Sequence, residues 1–238
     1  MSRTSIKNKL KKFRALVRRW KVRPRLLVGV QPLSDSWGGR GAIIHRYYLE
    51  EFLRQNASCI RGRCLEFQED SYTTKFGKDN VQMVDIINRE AGGTDSTIIA
   101  DLTVENSVPS NQFDCIICTY VLHLVYDTEK IVSELHRILK PGGTLLVCVP
   151  DITINYPIFS EFWRFTAQGL GALLEKHFGA GKVSVSGYGN SLTAAGELRG
   201  LGLSDFSESE LAYHDPRYSL AVCGRAVKAV AERTRLCV

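Results

Sequence analysis

Seven short apolar runs, Cys64 to Phe67, Val81 to Asp85, Thr97 to Ala100, Cys115 to Thr119, Gly143 to Val149, Val183 to Gly187 and Ser219 to Val227, punctuate the chain. Helical or turn-rich stretches separate most of them. This alternation constrains the fold most, because parallel strands need a crossover between them and read as nearly continuous hydrophobic runs when both faces are covered. It predicts a doubly wound α/β domain around a mostly parallel seven-stranded sheet, the last two strands pairing antiparallel at one edge. The intervening patterns predict helices over Ile44 to Asn56, Tyr72 to Phe76, Asp127 to Leu139, Ile158 to His177, Leu192 to Leu201 and Glu208 to Ala212. With 238 residues, 44% of them hydrophobic, the chain can bury one full core.

Ahead of the alternation, Ile6, Leu10, Phe13, Val17 and Trp20 recur at helical spacing among basic residues. Met1 to Arg25 carries eleven Lys or Arg and no acid, which leaves 20 basic against 25 acidic residues in the remainder despite a net charge of +6. The expected organisation is a basic amphipathic helix and linker over 1–31, followed by one domain over 32–238. Residues 1–25 suit either an anionic membrane surface or packing of the apolar stripe on the chain's own domain. The net acidic remainder, without interleaved aromatic and basic residues, disfavours nucleic acid as a partner. No stretch approaches the roughly 20 apolar residues of a membrane span, and no secretory signal opens the chain. The expected location is therefore cytoplasmic, with a peripheral position at the inner face of the membrane as the extension of the basic helix.

The seven cysteines are odd in number and mostly embedded in apolar runs, which predicts free thiols. Cys115 and Cys118 spell C-x-x-C, but within a strand residues three apart face opposite ways, so no metal or redox site is expected.

Ligands of open parallel sheets bind beyond the carboxyl ends of the strands, where strand order reverses. The residues there are Glu66, Gln68 and Tyr72 after the first strand, Asp85 and Ile86 after the second, Asp101 and Leu102 after the third, and Thr119 to His123 after the fourth. Asp85 lies nineteen positions beyond Glu66, near the spacing of about twenty at which an acid accepts from a ribose diol. Asp101 is placed to accept from an exocyclic amine such as that of adenine. Glu66, Gln68, Tyr72, Asp85, Ile86, Asp101, Leu102 and Thr119 are thus the candidate cofactor-binding set.

The most specific local string is Leu139-Lys140-Pro141-Gly142-Gly143, in which proline stops a helix and paired glycines turn the chain into the next strand. Together with Phe113-Asp114, the strand that follows and His123, it resembles the second half of class I S-adenosylmethionine-dependent methyltransferases. A wider set runs from Gly38-x-Arg40-Gly41 and Arg46-Tyr47-Tyr48 through Leu65-Glu66, Tyr72, Phe76-Gly77 and Tyr188-Gly189-Asn190 to Asp215-Pro216-x-Tyr218. It resembles a bacterial group of methyltransferase-like proteins associated with surface-polysaccharide and glycosyltransferase systems. That resemblance implies a Rossmann-like fold, S-adenosylmethionine as cofactor, O-methylation of a sugar or glycan, and a glycosyltransferase as possible partner.

Two departures from the pattern stand out: His45 precedes Arg46 where the group more often has aspartate, and Glu66-Phe67-Gln68-Glu69-Asp70-Ser71 contains no glycine where a G-x-G loop is usual. Three acids in that loop suit a sulfonium and an ammonium better than a phosphate-bearing dinucleotide. Arg40 or Arg46 can take the carboxylate of S-adenosylmethionine, and with Tyr47, Tyr188 and Asn190 they form the candidate substrate-binding set. Asn190 can equally cap a helix. His45 and His123 are the candidate bases for removing a proton from a hydroxyl. The alternative to an enzyme is a catalytically inactive scaffold or regulatory module, in which Phe67, Gln68 and Tyr72 fill the cofactor cleft.

Overall fold

The computed structural model describes residues 13, 17, 24, 27–34, 39–90, 96–156, 158 and 160–230. Apart from Phe13 and Val17, the basic helix expected over Ile6 to Trp20 lies outside them. Seven strands form one sheet: β1 (Gly62–Phe67), β2 (Val81–Asn88), β3 (Ile98–Ile99), β4 (Phe113–Thr119), β5 (Leu139–Pro150), β6 (Val183–Tyr188) and β7 (Ala221–Val227). Their order is β3-β2-β1-β4-β5-β7-β6, and β3, β2, β1, β4 and β5 pair in parallel. The order reverses between β1 and β4, where a doubly wound sheet opens its ligand crevice. Among residues 39–230 that are described, the α-helices are α1 (Ile44–Gln55), α2 (Thr128–Ile138), α3 (Ala167–Phe178), α4 (Ser191–Leu198) and α5 (Glu208–Ala212).

Two compact units share the chain. Among the described residues, those up to Glu50 with 152–154 and 187–221 form one unit, and 51–151, 155–186 and 222–230 form the other. The second holds most of the sheet. Its core packs Leu65, Ile116, Leu145 and Val147 from the strands against Ile131, Leu135 and Ile138 of α2 and Leu170, Leu174 and Phe178 of α3. These helix positions recur every three or four residues, so each helix turns one apolar face to the sheet.

Local signals explain where α2 begins and ends. The Asp127 carboxylate accepts from the Lys130 N–H at 3.0 Å and caps the helix. Leu139 is extended and pairs with Phe113, while Thr144 pairs with Cys115, so β5 spends five residues where β4 spends two. Lys140 to Gly143 thus stand opposite the single residue Asp114, an excess of three residues. Gly143 is required there, because a Cβ would lie 2.8 Å from the Lys140 carbonyl oxygen and 3.0 Å from that of Phe113.

Two element boundaries correct the sequence expectation. β2 does not stop at Asp85 but continues to Asn88, keeping its parallel register with β1 through Phe67 and Ile87. The helix expected over Ile158 to His177 begins only at Ala167, because the preceding backbone donors are used elsewhere. The N–H groups of Phe162 and Trp163 go to the His123 carbonyl oxygen, and that of Phe165 goes to the Pro150 carbonyl oxygen.

In the first unit, Asn190 caps α4 by accepting from the N–H groups of Leu192 and Thr193, each at 3.0 Å. Ser207 caps α5 in the same manner. Cys59, Cys64, Cys115, Cys118, Cys148 and Cys223 are free thiols, and burial pushes the Cys118 thiol up. Among the described residues, no helix is long and apolar enough to cross a membrane, and no cluster of His, Cys, Asp and Glu could hold a metal.

Candidate active site

A cleft of about 510 Å³ lies at the carboxyl ends of β1 to β4. Its volume falls within the roughly 300–1,000 Å³ of small-molecule sites. Phe67 and Gln68 come from the end of β1, Ile87 and Asn88 from the end of β2, Asp101 and Leu102 from the loop after β3, and Val121 from the loop after β4. Every lining residue belongs to the second unit.

The loop after β1 is built around Glu66. Its side chain is 1% exposed and accepts from the Tyr72 N–H at 3.1 Å and the Thr73 N–H at 2.7 Å. The carboxyl group thus closes residues 67–72 into a tight turn at the start of the π-helical segment Thr73–Gly77. Burial raises its pKa to about 7, against the lowering effect of those hydrogen bonds. Gln68 takes φ 71, the left-handed region where glycine is usual, and its N–H donates to the Ile87 carbonyl oxygen at 3.1 Å. The glycine-free loop therefore makes a glycine-type turn with a side chain attached, at a cost of about 1–2 kcal/mol. Tyr72 is buried and is not among the residues lining the cleft.

Asp101 accepts from the Thr103 N–H at 2.8 Å and the Thr103 hydroxyl at 2.6 Å and pairs with Arg89 at 3.0 Å. The Thr103 hydrogen bonds hold its carboxyl below the usual range, with Arg89 adding to the effect. Asp101 is consequently an anion beside the apolar Leu102, which is buried at the floor of the cleft.

Asp85 is placed differently. It is 5% exposed, inside β2, and accepts from Arg63 Nε at 2.7 Å and the Thr97 hydroxyl at 3.1 Å. The residue at the end of β2 that lines the cleft is Asn88, whose side-chain amide donates to Ser96 Oγ. Sequence reasoning missed Asn88 because it looked for an acid. Its signal was the apolar pair Ile86-Ile87, which carries the strand past Asp85. Ile86 is buried beside Asp85, its N–H donating to the Thr97 hydroxyl at 2.9 Å, and Thr119 pairs with Cys148 at the end of β4.

His123 is buried, edge-on to Tyr120, with its carbonyl oxygen holding Phe162 and Trp163. His45 lies in the other unit, buried, with Nδ1 2.5 Å from Glu197 Oε1. The proposed substrate set is also found in that unit. Arg40 makes a two-point pair with Asp205 at 3.1 and 3.2 Å, and Tyr188 packs against Tyr48 and His214. Asn190 spends its oxygen on the α4 cap and its amide on the carbonyl oxygens of Glu210 and Tyr213 at 2.7 and 2.8 Å. Arg40 and Asn190 thus make hydrogen bonds within their own unit. Arg46 is exposed on α1, and Tyr47 stacks edge-on against Tyr48.

Comparison with known proteins bears on the unit that carries the cleft. Residues 58–147 match the family described as "Methyltransferase domain". The demethylmenaquinone methyltransferase of Listeria welshimeri is 28% identical over 118 residues, 48% of this chain and 46% of the relative. The ubiquinone/menaquinone biosynthesis C-methyltransferase of Francisella tularensis subsp. novicida is 51% identical over 57 residues, 23% of each chain. The chain thus spans less than half the length of these curated relatives. Among solved structures, a SAM-dependent methyltransferase from Archaeoglobus fulgidus superposes with a TM-score of 0.52 at 13% identity, covering 77% of this chain and 94% of that one. That likeness extends the shared fold well beyond the matched segment. The 58–147 segment thus resembles the methyltransferase domain family, and the strand order agrees with a fold shared with a SAM-dependent methyltransferase of known structure.

Proposed function

We propose that the chain is an S-adenosylmethionine-dependent methyltransferase acting on a small-molecule acceptor. The observation that carries this reading is the state of the glycine-free loop. Phe67 and Gln68 line the cleft rather than fill it, and Tyr72 is drawn into the interior by the Glu66 carboxylate. The residues present fit the cofactor: Leu102 and Val121 offer apolar walls for a purine, Asn88 stands at the end of β2 for the ribose, and Asp101 supplies negative charge. When bound, S-adenosylmethionine supplies an electrophilic methyl group on a cationic sulfur, which suits a cleft whose charged residues include Asp101 and Asp127 against Arg89. The chain's own contribution is to shape the turn, exclude water through the apolar walls and orient the nucleoside.

O-methylation of a glycan rests on the resemblance of segments outside 58–147, and the two relatives are named for quinone methylation. Engagement of Arg40, His45 and Asn190 with Asp205, Glu197 and the α4 cap weakens support for a sugar acceptor held by those residues. Leu102→Trp, which introduces an indole into the floor of the cleft, is the direct test. The substitution should abolish retention of radiolabelled S-adenosylmethionine in equilibrium dialysis while the protein remains folded by circular dichroism. Retention equal to wild type would place the cofactor elsewhere and overturn the reading.

A further inference from the structure

Among the described residues of the first unit, the most exposed large aliphatic side chains are Leu27, Val28 and Val30, at 91%, 70% and 91%. The backbone beneath them is nonetheless held. Arg199, which follows the last residue of α4, donates from its two terminal guanidinium nitrogens to the carbonyl oxygens of Val28 and Gly29 at 2.9 and 3.1 Å, and its own carbonyl oxygen accepts the Leu33 N–H at 2.8 Å. Gly29 turns the chain between the two valines at φ 78, in the left-handed region, and a Cβ there would meet nothing within 4 Å, so the turn projects from its surroundings. Leu198, the α4 residue beside this clamp, is itself 45% exposed.

A single exposed aliphatic is ordinary. Three on one short turn that tertiary hydrogen bonds hold open, in the same unit as a fourth beside the clamp, make an apolar surface of the kind that marks an interaction site. Charge identifies the occupant. Leu26 to Ser34 contains no charged residue, whereas Met1 to Arg25, directly before it, carries eleven Lys or Arg and no acid. Basic residues are drawn to an anionic lipid surface, and aliphatic side chains gain by entering its hydrocarbon, so an anionic bilayer satisfies both neighbouring stretches at once. A nucleic acid would offer phosphates to the basic residues but no apolar phase to Leu27, Val28 and Val30.

We infer that the Leu27-Val28-Gly29-Val30 turn is an insertion element for an anionic phospholipid surface, entering the boundary between headgroups and acyl chains while the basic stretch before it draws the chain to the membrane. Arg199 positions the turn by holding the carbonyl oxygens at its tip. The inference is independent of what the cleft binds.

The test is co-sedimentation of the full chain with vesicles of phosphatidylcholine and phosphatidylglycerol at about 2:1, and with vesicles of phosphatidylcholine alone, at about 0.1 M NaCl. Wild type should bind the anionic vesicles and should bind the neutral ones about tenfold or more weakly. Leu27→Ser/Val30→Ser removes neither a charge nor a hydrogen bond of the turn, and its fold is checked by thermal melting. This double variant should bind anionic vesicles about tenfold or more weakly than wild type. Val30→Trp, which puts an interfacial side chain at the same place, should bind them about threefold or more tightly, a gain that keeps the test decisive should the serine variant prove unstable. Binding unchanged in both variants overturns the inference, since the basic stretch would then adsorb alone. Failure of wild type to bind anionic vesicles, or equal affinity for neutral ones, also overturns it. So does a wild-type dimer in sedimentation equilibrium that the double variant loses while vesicle binding is unchanged, because the turn would then be a contact between copies of this chain.

Discussion

Replacing Glu66 with glutamine should alter the pH dependence of stability more than stability at low pH. Burial holds the Glu66 carboxyl at about 7 against an ordinary 4.5, although it accepts two backbone N–H groups. A carboxyl harder to ionise in the folded chain than in the unfolded one makes the folded state bind more protons between those two pH values. Stability contributed by Glu66 is therefore fully present below about 4.5, falls as pH rises to about 7 and stays low above it. At about 1.4 kcal/mol for each tenfold, the loss amounts to about 3 kcal/mol. In a domain of this size that corresponds to a change in Tm of roughly 6–12 °C. Glutamine cannot ionise, and its single carbonyl oxygen keeps one of the two accepted hydrogen bonds while its NH2 group can only donate, a cost that does not vary with pH. Denaturation of wild type and Glu66→Gln between pH 5 and pH 8.5 isolates the effect, because other titrating groups cancel in the difference. The variant should gain on wild type by about 2.5 kcal/mol across that range, part of the loss having occurred below pH 5. Parallel stability curves would refute the argument that burial outweighs the two hydrogen bonds at this carboxyl.

Three further substitutions separate structure from binding. Asp85→Ala should cost about 2 kcal/mol in urea denaturation, by stranding Arg63 and the Thr97 hydroxyl, while leaving S-adenosylhomocysteine affinity within about twofold in calorimetry. Glu197→Ala should destabilise by about 2 kcal/mol, because it removes the carboxyl group that meets Nδ1 of the buried His45, and thermal melting measures the loss. Gln68→Gly should raise stability by roughly 0.5–1 kcal/mol, by removing left-handed strain net of the entropy that glycine adds to the unfolded chain. A destabilised Gln68→Gly variant would show that the side chain contributes packing that outweighs its backbone strain.

The sheet was legible in the sequence because strands buried on both faces must be apolar throughout, and all seven runs fall on strands. Helix α2 was legible to within about a residue at each end, since Asp127 caps it and its apolar residues keep helical spacing. The segment before α3 was not. It has helical composition, yet its N–H groups are satisfied by His123 and Pro150, a tertiary choice that no local pattern reveals. The candidate site divides along the same line. Gln68, Asp101 and Leu102 line the cleft at strand ends that are marked locally by the close of an apolar run, whereas Glu66 is buried and holds the turn. Arg40, expected to bind substrate, and His45, expected as a base, meet Asp205 and Glu197, which lie 165 and 152 residues away in sequence and leave no local signal. Asp85 likewise meets Arg63, which lies on the neighbouring strand 22 residues earlier.

Calorimetric titration of the full chain with S-adenosylhomocysteine tests the central claim most directly, because it asks whether the cleft walled by Gln68, Asn88, Asp101 and Leu102 takes the nucleoside without requiring the acceptor. The account predicts saturable binding of one equivalent and, at about 100 times the dissociation constant, stabilisation of about 2.7 kcal/mol visible as a rise in Tm of roughly 5–10 °C. Absence of both heat and thermal shift at about 1 mM, a concentration that would saturate a site of micromolar affinity, would contradict it.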